Sequence, residues 1–414
     1  TTGWKISEEN FLKDNETISF LKLRASYGTL GNEVGNNLYR SLLNGEGTYV
    51  FDGALVDGTA QGGLPNPLAQ WETAEKLDIG LDINLFDDKV TIVADYFEES
   101  RKDLLIQSFP VSGILGTSAP GGGRPTVNAG TSVNTGGELA ISYAAIKTED
   151  ASLNFAYNVT YVKNEVTDVT GGAFIEGGGF AIGNLPPSRM EVGQPIGYFY
   201  GLQTDGLFQN QAAIDAHPSQ AGLGAAVTSP GDIRYKDVNA DGVIDINDRT
   251  RIGKPQADFY MGFNFSGTYK NWDFSAYLYS ELGKEIVRNY ERFLPNVNKP
   301  SYYLGRWTGE GTSNSIPRLT NDATNNKLFS DFFVEDGSFL RLQNVQIGYN
   351  IDADTLERIG VSKLRVYTSV NNLFTITDYS GYDPTVNGGA IGAGIDYGTY
   401  PSARQFILGL NVEF

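Results

Sequence analysis

One run of side chains in this sequence has the types and spacing of a metal site: Asp237-Val-Asn-Ala-Asp-Gly-Val-Ile-Asp-Ile-Asn-Asp248. A twelve-residue calcium loop takes oxygen ligands from positions 1, 3, 5, 7, 9 and 12 and turns sharply on a glycine at position 6. Those positions are Asp237, Asn239, Asp241, the Val243 carbonyl, Asp245 and Asp248, with Gly242 at the turn and Ile244 at the apolar position beyond it. Position 12 carries Asp where a longer, bidentate Glu is usual, so the expected affinity for Ca2+ is weak, on the order of 10⁻⁴ to 10⁻³ M. A calcium sensor needs amphipathic helices on both flanks, and neither Gly231-Asp-Ile-Arg-Tyr-Lys nor Arg249-Thr-Arg-Ile-Gly-Lys-Pro supplies one. Two readings stay open: a calcium staple that stiffens a loop, or a segment of Asx turns without metal.

Other chemistries are excluded more sharply. The chain has no cysteine, which removes thiolate metal sites, disulfides and cysteine nucleophiles together. Its single histidine, His217, lies in a loop-like stretch and reads as a surface residue, so histidine triads and multi-histidine metal sites are out of reach. A glycosidase needs two carboxylates facing across a cleft, and nothing in the sequence pairs any two, so no enzyme is expected. Gly171-Gly-Ala-Phe-Ile-Glu-Gly-Gly-Gly-Phe180 lacks the Lys-Ser/Thr ending of a phosphate loop and reads as a flexible external loop. With 49 acidic against 31 basic residues the net charge is −18, which argues against nucleic acid as a partner.

The scaffold that must carry the loop is extended. Gly (50), Tyr (23) and Phe (23) are abundant while Met (2) is scarce, a profile suited to aromatic-lined β-structure. Leu153, Phe155, Tyr157, Val159 and Tyr161 alternate with Ser152, Asn154, Ala156, Asn158 and Thr160, giving one oily face and one small polar face. Leu77 to Leu85, Phe259 to Phe265 and Phe406 to Phe414 repeat the pattern. Ten such strands are expected, at about residues 18–29, 68–86, 88–106, 127–147, 151–167, 257–270, 271–283, 337–351, 363–376 and 403–414. Their connections alternate: short turns at 86–89, 147–151, 270–271 and 352–362, long excursions at 30–67, 107–126, 168–256, 284–336 and 377–402.

No run of about 18 apolar residues exists for a membrane helix. Alternating short and long connections are the pattern of an outer-membrane β-barrel, with the turns periplasmic and the loops extracellular. A soluble sandwich or propeller also alternates its faces but does not require this ordering of connections. On the barrel reading Leu153, Phe155, Tyr157, Phe263, Leu408 and Leu410 face lipid and Asn158 faces the lumen. Parity allows two extra spanning strands or none within 168–256; none is expected, with Ile196-Gly-Tyr-Phe-Tyr-Gly-Leu202 forming a hairpin inside the loop.

Six stretches carry a family resemblance. They are Phe20-Leu-Lys-Leu-Arg-Ala-Ser-Tyr-Gly-Thr-Leu-Gly-Asn32, Trp71-Glu-Thr-Ala-Glu-Lys-Leu-Asp-Ile-Gly80, and Gly231-Asp-Ile-Arg-Tyr-Lys-Asp-Val-Asn-Ala-Asp-Gly242. The others are Arg306-Trp-Thr-Gly-Glu-Gly-Thr-Ser-Asn314, Asp336-Gly-Ser-Phe-Leu-Arg-Leu-Gln-Asn344 and Asn371-Asn-Leu-Phe-Thr-Ile-Thr-Asp-Tyr-Ser-Gly-Tyr-Asp-Pro384. With them the chain resembles the C-terminal barrel half of SusC/RagA-type TonB-dependent outer-membrane transporters of Bacteroidota. The resemblance implies an all-β, antiparallel transmembrane barrel of 22 strands, of which residues 1–414 supply about the last ten, with the N-terminal plug and first strands absent. It implies import of oligosaccharides or peptides with a SusD-like surface lipoprotein, driven by TonB-ExbB-ExbD through the plug, in contact with outer-membrane lipid. The start at Thr1 accordingly reads as a processed product or an excerpt. The rival is a calcium-stapled adhesive or carbohydrate-binding surface protein, with loop aromatics such as those of Tyr302-Tyr-Leu-Gly-Arg-Trp307 as stacking platforms.

Overall fold

Period-two alternation becomes two continuous faces of one sheet. The computed structural model describes residues 1–33, 38–107, 109–117, 122–180, 185–225, 227–291, 297–352, 356 and 360–414. Eleven antiparallel strands follow one another in chain order: β1 (Thr2–Lys5), β2 (Ile18–Asn32), β3 (Glu72–Leu85), β4 (Val90–Lys102), β5 (Gly130–Lys147), β6 (Ala151–Val169), β7 (Phe259–Tyr269), β8 (Trp272–Leu282), β9 (Phe339–Asn350), β10 (Lys363–Thr377) and β11 (Gln405–Glu413). The ten expected strands are all present. The addition, β1, is four residues long, too short for alternation to show, and it is held by its pairing with β2.

Register settles the faces. Leu23, Leu81, Ala94, Leu139, Val159 and Met261 stand opposite one another strand after strand. The row below runs Leu21, Ile83, Ile92, Ile141, Tyr157, Phe263 and Leu278. The row on the other side of the pleat is Arg24, Gly80, Asp95, Glu138, Thr160, Tyr260 and Glu281. All six residues assigned to lipid lie on the apolar face: Leu153 opposite Gly267, Phe155 opposite Phe265, Tyr157 opposite Phe263, Leu408 opposite Thr368 and Leu410 opposite Val366. Asn158 lies on the polar face opposite Gly262.

The apolar band has a membrane's height. On β3 it runs from Leu85 to Leu77 and is followed by Glu75; on β6 it runs from Leu153 to Tyr161 and is followed by Lys163. Eight steps of about 3.3 Å at a tilt near 40° span about 20 Å, close to the hydrocarbon height of an outer-membrane barrel.

Most of the buried core lies in the long connections, with Val166 of β6 and Phe339 of β9 joining it from the sheet. Phe174–Gly177, Ser188–Glu191, Tyr198–Gly201 and Thr250–Gly253 form a four-stranded sheet, and Glu285–Arg288 sits between Val334–Asp336 and Ile395–Asp396. The described residues of 168–256 thus add no spanning strand, and Tyr198–Gly201 is one strand of a folded layer more elaborate than a hairpin. The stretch 171–180 is likewise more than a flexible loop: Phe180 is buried, edge-on to Phe329 and Phe333 at 5.1 and 5.0 Å. Three apolar clusters hold the layer, around Met190, Phe199 and Ile233. Water covers these loops, so they bury apolar groups as a soluble domain does, while the spanning strands point theirs outward.

Candidate functional site

The polar face of the sheet carries ion clusters set over glycines. Arg24 on β2 reaches Asp78 and Asp82 on β3 at 3.1 Å each and Asp95 on β4 at 2.6 Å. It crosses Gly80 to do so, where a Cβ would stand 2.4 Å from the Arg24 Cζ and 2.2 Å from an Asp95 oxygen. One guanidinium among three carboxylates leaves a net negative patch. Arg365 on β10 bonds Asp273 on β8 in the same manner across Gly348, where a Cβ would lie 2.6 Å from both. Farther along, Asn344 donates to Ser369 (3.0 Å) and Asn371 (2.7 Å), and Asn371 donates to Gln405 (3.2 Å). Tyr277 and Tyr279 share this face on β8. A surface of amides, hydroxyls and paired charges contacts water or polar cargo without a hydrophobic cost.

Above it the extracellular layer is pinned by buried arginines. Arg288 contacts Glu291 and Glu335 at 2.6 Å each and lies 4.5 Å from the Tyr302 ring centroid. Arg249 bonds Glu176 (3.2 Å) and the Pro186 and Tyr200 carbonyls (2.7 and 2.9 Å). Arg318 pairs with Asp232 at 2.7 Å, and Asn326 donates to the same carboxylate at 3.0 Å. Arg341 on β9 pairs with Asp383 in the loop after β10, also at 2.7 Å. Burial alone would raise the Asp383 carboxyl; the Thr385 hydroxyl, the Ser402 and Thr385 amides and the Arg341 guanidinium outweigh it and hold the group well below the usual carboxylate range. A depressed folded value stabilises the loop above the unfolded value near pH 4 and loses that contribution as the pH falls toward the folded one. Asp383→Asn should loosen residues 378–404 by about 1–2 kcal/mol at pH 7, and by less at pH 2. Hydrogen exchange of that loop checks this, and equal protection in the two proteins at pH 7 would refute it.

A cleft of about 490 Å³ opens in this layer, lined by Leu105, Gln107, Arg124, Glu176, Gly389 and Ile391 among others. The aromatics of residues 302–307 are spent on packing and offer no platform. Tyr302 and Tyr303 stack at 4.5 Å, Tyr303 is buried, and Trp307 lies against Gly231 with its indole N–H donating to Gln209 at 3.3 Å. His217 is half-buried, edge-on to Phe208 at 5.1 Å.

The candidate metal loop is closed by its own amides. Asp237 accepts from the Asp241 and Gly242 amides (3.2 and 2.8 Å), Asn239 from Asp241 (3.0 Å), Asp241 from Val243 (2.9 Å) and Asp245 from Asn247 (2.7 Å). Asp248 is buried and accepts from Val238 (2.7 Å), Asn239 (3.3 Å) and Asp245 (2.9 Å), which folds position 12 back over positions 2 and 3. Ala240 and Gly242 take the left-handed conformation, with φ of 59° and 87°. Ile244 is fully buried with Leu202, Leu207, Ile233 and Tyr235, so the loop is anchored to the layer. Among the described residues no group of three or more His, Asp or Glu side chains is arranged to hold a metal ion. The donors suit Ca2+ in kind, all of them oxygen, and Asp237, Asp241 and Asp245 remain accessible enough to turn.

Residues 4–279 match the family described as TonB dependent receptor-like, beta-barrel. The whole chain aligns with TonB-dependent receptor P3 of Formosa agariphila at 32% identity over 41% of that protein, and with TonB-dependent receptor SusC of Bacteroides thetaiotaomicron at 30% over 39%. The chain therefore spans about two fifths of the length of these relatives. In fold it superposes on the RagAB peptide transporter structure with a TM-score of 0.77 at 22% identity, over all of this chain and 43% of that one. A sheet with lipid-facing and polar sides, long loops folded over one end and these matches agree: the chain belongs to the TonB-dependent receptor β-barrels of the outer membrane.

Proposed function

We propose that residues 1–414 are the C-terminal part of an importer that takes up oligosaccharides or peptides, with a SusD-like lipoprotein as its lid and TonB-ExbB-ExbD acting through a plug upstream. The observation that carries this reading is the union of a polar inner face with a folded extracellular layer, because a selective, gated lumen needs both and needs no covalent chemistry. The uncharged row Asn344, Asn371 and Gln405, beside Tyr277 and Tyr279, suits hydroxyl-rich sugars and main-chain amides alike. The likeness to a peptide transporter favours the second cargo at the level of fold. The adhesive reading loses its support with the packing of Tyr302, Tyr303 and Trp307. Deleting the full gene and comparing growth on single oligosaccharides and on peptide digests tests the proposal: loss of growth on one class is expected, and unimpaired growth on both would overturn it.

Ca2+ belongs to the same reading, with Asp237, Asn239, Asp241, the Val243 carbonyl, Asp245 and Asp248 as its ligands. Its role would be to stiffen a loop already anchored by Ile244. Chelation should raise protease cleavage near Asp237 without unfolding the barrel, and Asp241→Ala should cleave at the chelated rate with or without Ca2+. Identical cleavage of both proteins under both conditions would make the segment an ordinary chain of Asx turns.

A further inference from the structure

We infer that a cleft on the outer rim of β6 and β7 binds the phosphate of a membrane lipid headgroup. The inference rests on the outer-membrane placement of the sheet and is independent of the cargo. The apolar band on β6 ends at Tyr161, which pairs with Phe259, the first residue of β7, their ring centroids 5.2 Å apart. Such an aromatic pair marks the level of the lipid headgroups. The next outward residue on β6 is Lys163, then Glu165. Here a cleft of about 250 Å³ opens, lined by Tyr161, Lys163, Glu165, Arg251, Lys254 and Asp258 among others. Three cations against two carboxylates make a positive lining on a chain whose net charge is −18.

The cations are not equally committed. Lys163 pairs with Glu165 at 2.8 Å but its side chain is 66% exposed, and Lys254 is held by Asp258. Arg251 donates one N–H to the neutral Gln194 oxygen at 3.1 Å, and among the described residues no carboxylate lies within ion-pair distance of it. Its remaining donors and the swinging Lys163 ammonium suit a phosphate, which guanidinium recognises through paired N–H groups. The paired positions on neighbouring strands are different. The register row through Lys163 passes Thr135, Glu98 and Leu77, which carry no cation. A diffuse anion would find nothing to prefer along that row, whereas a phospholipid can set its phosphate in the cleft and its acyl chains on Tyr161, Phe259, Val159 and Met261.

The test uses the full-length protein in nanodiscs of phosphatidylcholine with and without phosphatidic acid, released for native mass spectrometry. Wild type is expected to retain phosphatidic acid over phosphatidylcholine, and the double variant Lys163→Glu, Arg251→Glu to lose that preference by about tenfold or more. Lys163→Arg with Arg251→Lys should keep part of it, and heat-modifiable migration of every variant shows that the barrel has assembled. Equal retention by wild type and the Glu variant overturns the proposal. So does complete displacement of phosphatidic acid by millimolar inorganic phosphate, since the cleft would then be a simple anion site.

Discussion

Arginine in place of Phe263 is expected to destabilise the folded barrel by about 2–4 kcal/mol, and arginine in place of Asn158 by less than about 1 kcal/mol. The two positions are near neighbours on adjacent strands, since Phe263 pairs with Tyr157 and Asn158 with Gly262, so only the face differs. Phe263 stands between Tyr157 and Leu278, with the Phe155 ring 6.3 Å away, in the middle of the lipid band. A guanidinium there must be carried into hydrocarbon or snorkel past two rows of aromatics. Asn158 lies over Gly262, its Oδ1 within 2.4 Å of where a Cβ would stand, on the polar face, where a longer side chain can extend into water. Leu410→Arg should behave as Phe263→Arg does. Denaturant titration of the full-length protein folded into vesicles measures all three, and equal costs at Phe263 and Asn158 would mean that the faces are assigned the wrong way round or that the sheet does not meet lipid.

Strands β2 to β11 were legible because each one announces itself locally: β6 needs only residues 151–161 to show which side is oily. The six stretches behind the family resemblance prove to be partners in contact. Arg24 of the first meets Asp78 of the second over Gly80, Trp307 of the fourth packs on Gly231 of the third, and Arg341 of the fifth pairs with Asp383 of the sixth. What could not be read was which stretch meets which, because Arg341 and Asp383 lie 42 residues apart and Phe180 finds Phe329 across the chain. The fold of the extracellular layer depends on such distant contacts, and its strands of two to four residues are too short for a period to emerge. The calcium loop is the opposite case: its donors are local and fully visible, and yet their chemistry depends on whether carboxylates now bound to amides turn toward an ion.

Residues 1–414 expressed alone are expected to give no uptake and no heat-modifiable barrel band. The main sheet has β1 at one edge and β11 at the other, and neither has a second neighbour among the described residues. In water a free edge invites aggregation; in hydrocarbon it is prohibitive, because no solvent satisfies the outward N–H and C=O groups. Along the nine residues of β11 roughly every second one turns its N–H and C=O away from β10, and each unmet group costs several kcal/mol, so the sum exceeds the stability of an ordinary domain, about 5–15 kcal/mol. The extracellular layer is not subject to this cost. Its clusters around Met190, Phe199 and Ile233 are buried mainly by loop residues, with Val166 and Val169 of β6 added to the first, so the isolated chain should collapse there first and leave its strands as an aggregating fringe. Supplying the remainder of the full-length protein in trans gives both edges a partner and should restore the heat-modifiable band. Transport by residues 1–414 without that remainder would show that the edges close on each other, which the open order of the sheet does not allow.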